Sequence, residues 1–265
     1  MKKSIIPNVV SLSIAAAGLL VSPSAIAGTA VPVAPAPPAA PPYEAGRGLL
    51  TLEGPTGMFI NPTSATLPAG AFTAQACYLN PNWDDSVNGT GAVVAYGVTD
   101  WLELGVNANY IFTDNGDLSV VGPLARVRLL KDEGAIPQLS IGYYGKFGDD
   151  AVSTNSGFLA AYKRFPIGDE AGFFKSVGVH VGTRYSALDT QDIFVGYGGF
   201  ELQMPYRLYL VGEVSTQDDD HDEVPYAAGI QWRAGGINIS LAALQDGNFA
   251  DGPGFYFGIG SQLSF

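Results

Sequence analysis

The sequence predicts an all-β fold: a transmembrane antiparallel β-barrel of about 12 strands, set behind an N-terminal signal peptide and a Pro/Ala-rich tether. Three observations predict it. Apolar and polar residues alternate with period two in one segment of about ten residues after another. After Ala27 no apolar run reaches the roughly 18 residues that a membrane helix needs. The last segment ends on Phe265, with its apolar residues sharing one face. Composition agrees. Of 265 residues only 14% are charged, 34 are Gly and 11% are aromatic. A disordered chain would have more charge and fewer aromatics, and in a helical bundle each interior Gly would cost about 1 kcal/mol. A net charge of −12 excludes general nucleic-acid binding. The lone Cys77 cannot build an internal disulfide framework.

The elements follow in order. Lys2 and Lys3 precede an apolar run from Val9 to Val21, Ser22-Pro23-Ser24 breaks it, and Ala25-Ile26-Ala27 offers small residues for cleavage. Residues 1–27 therefore read as a secretory signal peptide. Residues 28–43, nearly all Ala, Pro and Val, read as an extended periplasmic linker, because Pro cannot donate to a ladder. Residues 44–69 form a pre-barrel segment, and 70–265 the barrel. The strands are expected near 70–80, 89–98, 101–112, 118–130, 137–147, 155–165, 174–187, 192–203, 206–215, 224–233, 237–245 and 254–265. A strand of about ten residues tilted about 40° crosses roughly 25 Å, the height of an outer-membrane apolar band. The alternation is clearest where Leu102, Leu104, Val106, Ala108, Tyr110 and Phe112 oppose Glu103, Gly105, Asn107 and Asn109. It recurs where Ile237, Ile239, Leu241 and Ala243 oppose Asn238, Ser240, Ala242 and Leu244. Aromatics such as Trp101, Phe112, Phe147, Phe165, Tyr206 and Trp232 fall at strand ends, the pattern of interfacial girdles. On the final strand Phe255, Phe257, Ile259, Leu263 and Phe265 share a face, which resembles the C-terminal assembly signal of bacterial outer-membrane barrels.

Charge sorts the loops. With the C-terminus in the periplasm, the outward connections are 81–88, 113–117, 148–154, 188–192, 216–223 and 246–253; they hold acids and no Lys or Arg. Asp218, Asp219, Asp220, Asp222 and Glu223 are weak surface candidates for a cation, but they lack the spacing and central Gly of a dedicated Ca²⁺ loop. A solvated acidic tip is the simpler reading, and no metal site is assigned.

If the apolar faces meet lipid, charges fall inside, because a Lys or Arg facing mid-bilayer costs about 2–4 kcal/mol. The expected lumen-lining set is Glu103, Arg126, Arg128, Lys146, Lys163, His180, Arg184, Arg207, Glu213 and Arg233. Strand 192–203 is ambiguous, since Glu201 has the parity of Ile193 and Val195. These charges serve either a pore that favours anions or a structural network in which Glu103 pairs Arg126 or Arg128 on the next strand. With two histidines and no nucleophile motif, no catalytic residue and no cofactor is assigned, and the chain is expected not to be an enzyme.

The phrase Gly54-Pro55-Thr56-Gly57-Met58-Phe59-Ile60-Asn61-Pro62-Thr63-Ser64-Ala65, followed by Gly70, resembles the opening of YjbH-type outer-membrane proteins. Arg128-Leu129-Leu130, Glu133-Gly134, Pro137, Gly142 and Ala160-Ala161-Tyr162-Lys163-Arg164-Phe165 extend the likeness. It covers one barrel unit and implies a link to exopolysaccharide production and export. The expected function is porin-like passage of small anionic solutes or saccharides across the bacterial outer membrane. The alternative is a non-conducting structural or surface-adhesion barrel with acidic extracellular loops. The expected partners are outer-membrane lipids, lipopolysaccharide, the barrel-assembly machinery, and saccharides or small anions.

Overall fold

Backbone N–H and C=O groups in hydrocarbon must pair within the protein, and the chain meets this demand by closing a sheet on itself. The structure is a computed structural model and describes residues 49–51, 56–80, 87–114, 116–148, 153–167, 172–188, 192–216, 224–234, 236–245 and 253–264. The strands are β1 (Leu49–Leu50), β2 (Thr56–Gly57), β3 (Ala71–Asn80), β4 (Val87–Thr99), β5 (Leu102–Thr113), β6 (Leu118–Leu130), β7 (Gln138–Gly148), β8 (Thr154–Pro166), β9 (Ser176–Leu188), β10 (Asp192–Gln203), β11 (Leu208–Ser215), β12 (Tyr226–Ala234), β13 (Ile237–Gln245) and β14 (Gly254–Ser264). From β3 to β14 each strand pairs antiparallel with its sequence neighbours, and β14 returns to β3 from Phe255↔Asn80 to Ser264↔Ala71. This is a closed barrel of twelve strands, as the alternation predicts. The signal peptide, the linker, the acidic tips at 81–86, 149–152, 189–191, 217–223 and 246–252, and Phe265 lie outside the described residues.

The alternation resolves into two surfaces. Leu104, Val106, Val181, Phe194, Leu241 and Ile259 are exposed on the outside, where a bilayer would cover them. Phe255, Phe257, Ile259 and Leu263 share that face of β14, while Tyr256, Gly258 and Gly260 point inward. Trp101, Phe112, Phe147, Phe165, Tyr206 and Trp232 are exposed near strand ends. The two rims differ in charge more than in loop length. The rim where β3 begins and β14 ends, the terminal rim, has the tight Asp100-Trp101 turn but also the longer connections 131–137 and 167–175. It carries both signs, with Lys131, Asp132, Glu133, Lys175 and Arg207. The described acids of the opposite rim are Asp114, Asp117 and Asp192.

The main departure from the sequence reading lies ahead of β3. Residues 56–67, expected as part of a pre-barrel segment, lie inside the barrel: Phe59, Asn61 and Ser64 are each 0% exposed. We call this segment the strap. It folds first on itself, with Gly57 bridging Pro62, Met58 N donating to Asn61 O at 3.1 Å and Thr63 N to Thr56 O at 3.0 Å. Gly57 suits this turn because a Cβ there would stand 2.2 Å from Asn61 O. Gly97 of β4 likewise lets the chain pass into β3, since a Cβ there would meet Pro68 O at 1.9 Å.

Gly97→Ala should therefore destabilise the barrel by about 1–3 kcal/mol, the usual cost of overpacking. Gly157→Ala, on the outer face with nothing within 4 Å of the added atom, should not. Thermal loss of the heat-modifiable folded band measures both; equal midpoints would show that the close approach at Gly97 is not a constraint.

Candidate functional site: the lumen and its strap

The strap spans the lumen. β5 and β11 are six steps apart in either direction around the barrel, so their inward residues face each other across it. Glu103 of β5 and Glu213 of β11 grip the strap from these two walls. The Glu213 carboxylate receives the backbone N–H groups of Phe59 and Ile60 on Oε1, at 2.8 and 2.7 Å, and that of Asn61 on Oε2 at 3.0 Å. The Asn61 amide also donates to Oε2, and to Ser215 Oγ at 2.9 Å. On the opposite wall Glu103 Oε2 accepts Leu67 N at 2.9 Å, and Oε1 lies 3.4 Å from the Thr56 hydroxyl. Arg126, facing Glu103 in register on β6, donates to Ala65 O and, at 2.8 Å, to Thr56 O. Its Nη2 is 4.0 Å from Glu103 Oε1.

Neutral donors complete the hold. Gln138 and Ser140 of β7 donate to Ser64 O, Tyr197 to Pro62 O at 2.9 Å, and Gln231 to Met58 O at 2.7 Å. The tip also has apolar cover, since Met58, Phe59 and Ile60 pack with Tyr209, Val211, Leu244 and Tyr256. Phe59 meets the Tyr256 ring edge-on at 5.9 Å between centroids. Strap backbone that lacks a sheet partner thus finds side-chain partners, as buried polar groups require.

A second network lies behind Gln231. Arg233 donates to Gln231 Oε1 through Nε and Nη2, and to Glu201 Oε2 through Nη1 at 2.8 Å. Its guanidinium sits 4.0 Å from the Tyr209 ring centroid. Tyr162 donates to Glu201 Oε1 at 3.0 Å, and His180, stacked on Tyr162 at 4.6 Å, places Nε2 3.9 Å from Glu201 Oε2.

The structure brings Glu103, Arg126, His180, Glu213 and Arg233 into the interior as buried groups. Arg128, Lys146 and Arg184 have inward parity and are half-buried. Two members of the expected set lie elsewhere. Lys163 shares the outward parity of Leu159 and Phe165 on β8, because Phe158, Ala160 and Tyr162 take the inward places. Close to the rim it reaches back to Asp132 and to the carbonyls of Gly134 and Ile136; a cation near the interface costs only about 0–1 kcal/mol. Arg207 is exposed in the 3₁₀ turn Pro205–Arg207, where φ is 59° at Tyr206 and 60° at Arg207. That left-handed turn takes it off the pleat, so alternation does not fix its face. Glu201, left without a face by the sequence, points inward and is buried. Its signal was available: a carboxylate on the lipid side would be costly, so the charge outweighs the apolar parity of Val195. Among the described residues no group of three or more His, Cys, Asp or Glu side chains could hold a metal ion. The acidic candidates at 218–223 lie outside them.

Arg126→Met should leave Glu103 buried beside two strap carbonyls that have lost their donor, costing about 3–5 kcal/mol. The double variant Glu103→Gln/Arg126→Met should cost less than the sum of the single variants, with a coupling of about 0.5–3 kcal/mol. Unfolding of the purified barrel in detergent measures the cycle; strict additivity would mean that the two residues hold the strap independently.

No family model matches this chain, and no curated protein matches its sequence. Solved structures do. One described as "KdgM porin" superposes with a TM-score of 0.51 at 7% identity, covering 74% of this chain and 99% of that one. Another, "KdgM porin in complex with disordered oligogalacturonate", gives 0.47 at 6% identity over the same shares. The first likeness is one of fold: that of a closed β-barrel, which this chain forms with twelve antiparallel strands.

Proposed function

We propose that this protein is a porin-like barrel of the bacterial outer membrane that passes small anionic solutes or saccharides, with the strap holding its resting conductance low. The observation that carries the reading is a charged and polar interior enclosed by an apolar outer surface. Arg126, Arg233, Glu103 and Glu213 are buried inside, while Leu, Val, Ile and Phe side chains cover the outside. A barrel that needed only to stand in the membrane would be cheaper to fill with apolar side chains, since burying ions costs several kcal/mol each even when they are paired. Arg128, Lys146 and Arg184 are half-buried cations of inward parity, and they support the expected anion preference. The fold shared with a KdgM porin agrees with passage. The YjbH-type resemblance adds an exopolysaccharide as the source of the saccharide. Assembly machinery, lipid and lipopolysaccharide are the partners that this setting requires.

The second reading, a non-conducting structural or adhesive barrel, is favoured by one specific observation: the strap crosses the lumen from wall to wall. Planar-bilayer recording separates the two. Purified, heat-modifiable protein should conduct, and Lys146→Gln/Arg184→Gln should shift the reversal potential in a salt gradient toward lower anion preference. The shift should shrink at high salt, where the Debye length is about 3 Å at 1 M. A folded barrel that never conducts, with or without the strap, removes the passage reading and leaves the structural one.

A further inference from the structure

The strap is held in the lumen without being part of the wall. The twelve-stranded ladder closes completely without it, and its described strand pairings are with its own segment, Leu49–Leu50 with Thr56–Gly57 and Gly57 with Pro62. The hydrogen bonds described above between strap and lumen involve polar wall side chains, and Thr66 Oγ1 adds one to the Asp100 carbonyl at the rim; water can replace bonds of these kinds. Both ends of the strap lie at one wall: Thr56 and Leu67 meet the same Glu103 carboxylate, and the chain then turns through Pro68 to Gly70, whose φ is 75°. That wall adjoins the terminal rim, where Ala69 N donates to Asp100 and Gly70 N to Gly97 O. The tip reaches the far wall and is fastened there by Glu213 and Ser215.

The interior around the strap does not look like a permanent core. The polar side chains of Asn238, Ser240, Asn107 and His180 are all buried on the inner face. These groups come from β13, β5 and β9, on different sides of the barrel. A wall meant only to enclose a fixed plug would be apolar at such places or matched to the plug, because an unmet buried polar group costs free energy. Polar groups all round suit a lumen that is hydrated in a second state.

We infer that the strap is a displaceable gate: residues 56–67 swing about Pro68–Gly70 toward the terminal rim, and Glu213 is the latch that holds the tip closed. Opening exchanges side-chain-to-strap hydrogen bonds for water and leaves every ladder bond of the wall in place. The inference uses the passage reading only for its conductance consequence, and the gate can be tested without it.

The test uses the full chain in an Asn61→Cys/Cys77→Ser background. In the folded barrel a polar maleimide should label the thiol at position 61 slowly, and Glu213→Ala should speed labelling about tenfold or more, as loss of bonds to a carboxylate implies. Adding Ser215→Cys places a second thiol where Asn61 Nδ2 now lies 2.9 Å from the serine oxygen. Oxidation should block channel openings, and reduction should restore them. Labelling only after unfolding, with or without Glu213, overturns the gate, as does conductance that is equal in the oxidised and reduced states. A thiol whose labelling the latch controls, in a barrel that never conducts, keeps the gate and overturns passage. Should Glu213→Ala fail to fold, Glu213→Gln, which keeps the size and removes the charge, takes its place in the labelling test.

Discussion

Closure of the backbone ladder is the constraint on which the rest of this structure depends. With β14 paired to β3 along the whole of its partner strand, no strand of the barrel has an unpaired edge, and the backbone of the wall is satisfied without help from anything in the lumen. Two consequences follow. The outer surface is free to be apolar, and single residues there need no partner beyond lipid. The inner surface is freed from any duty to the wall, so its side chains can be charged and can bind a segment of the chain that has no ladder of its own. A soluble sandwich has no such freedom, because its inner faces are the core.

The strap shows what the inner charges do with that freedom. Three consecutive N–H groups converge on Glu213, while two carbonyls meet Arg126. The carboxylates take the donors of the peptide and the guanidinium its acceptors, each in a place where an unpaired ion would be costly. The apolar cover over Met58, Phe59 and Ile60 lowers the local dielectric and strengthens these bonds. Removing one partner at a time is therefore a harsher change than the net worth of any one bond suggests.

The fold was legible in the sequence because period-two alternation is a local signal that no tertiary contact overrides here. The twelve expected segments and the twelve strands coincide to within a few residues, and Leu104 and Asn107 lie on the faces that parity assigns. Charge placement was legible where it agreed with parity, as at Arg126 and Arg233. It failed where the pleat ends: Arg207 is in a left-handed turn, and Lys163 is close enough to the rim to reach Asp132. The strap was not legible at all. Nothing in Thr56–Leu67 alternates, and its bonds join residues 36 to 154 positions apart for Glu103 and Glu213, a separation that no local pattern reports. The Gly-x-x-x-Asn-Pro phrase read as an approach to the barrel is, in physical terms, a turn tight enough to fit inside one.

Strap and solute make the same chemical demand on the lumen. An extended peptide offers alternating donors and acceptors, and the wall answers with Glu on one kind and Arg, Gln, Ser and Tyr on the other. A hydrated solute with many hydroxyl or carboxyl groups presents the same two kinds of partner. A lumen that discriminated only by charge would hold a neutral peptide poorly, and one lined only by neutral amides and hydroxyls would fasten its tip weakly, because bonds to ions are about twice as strong. Under the proposed function the mixture of buried carboxylates, buried guanidinium groups and neutral donors suits both tasks in turn, so the groups that fasten the strap would also meet a solute once it is displaced.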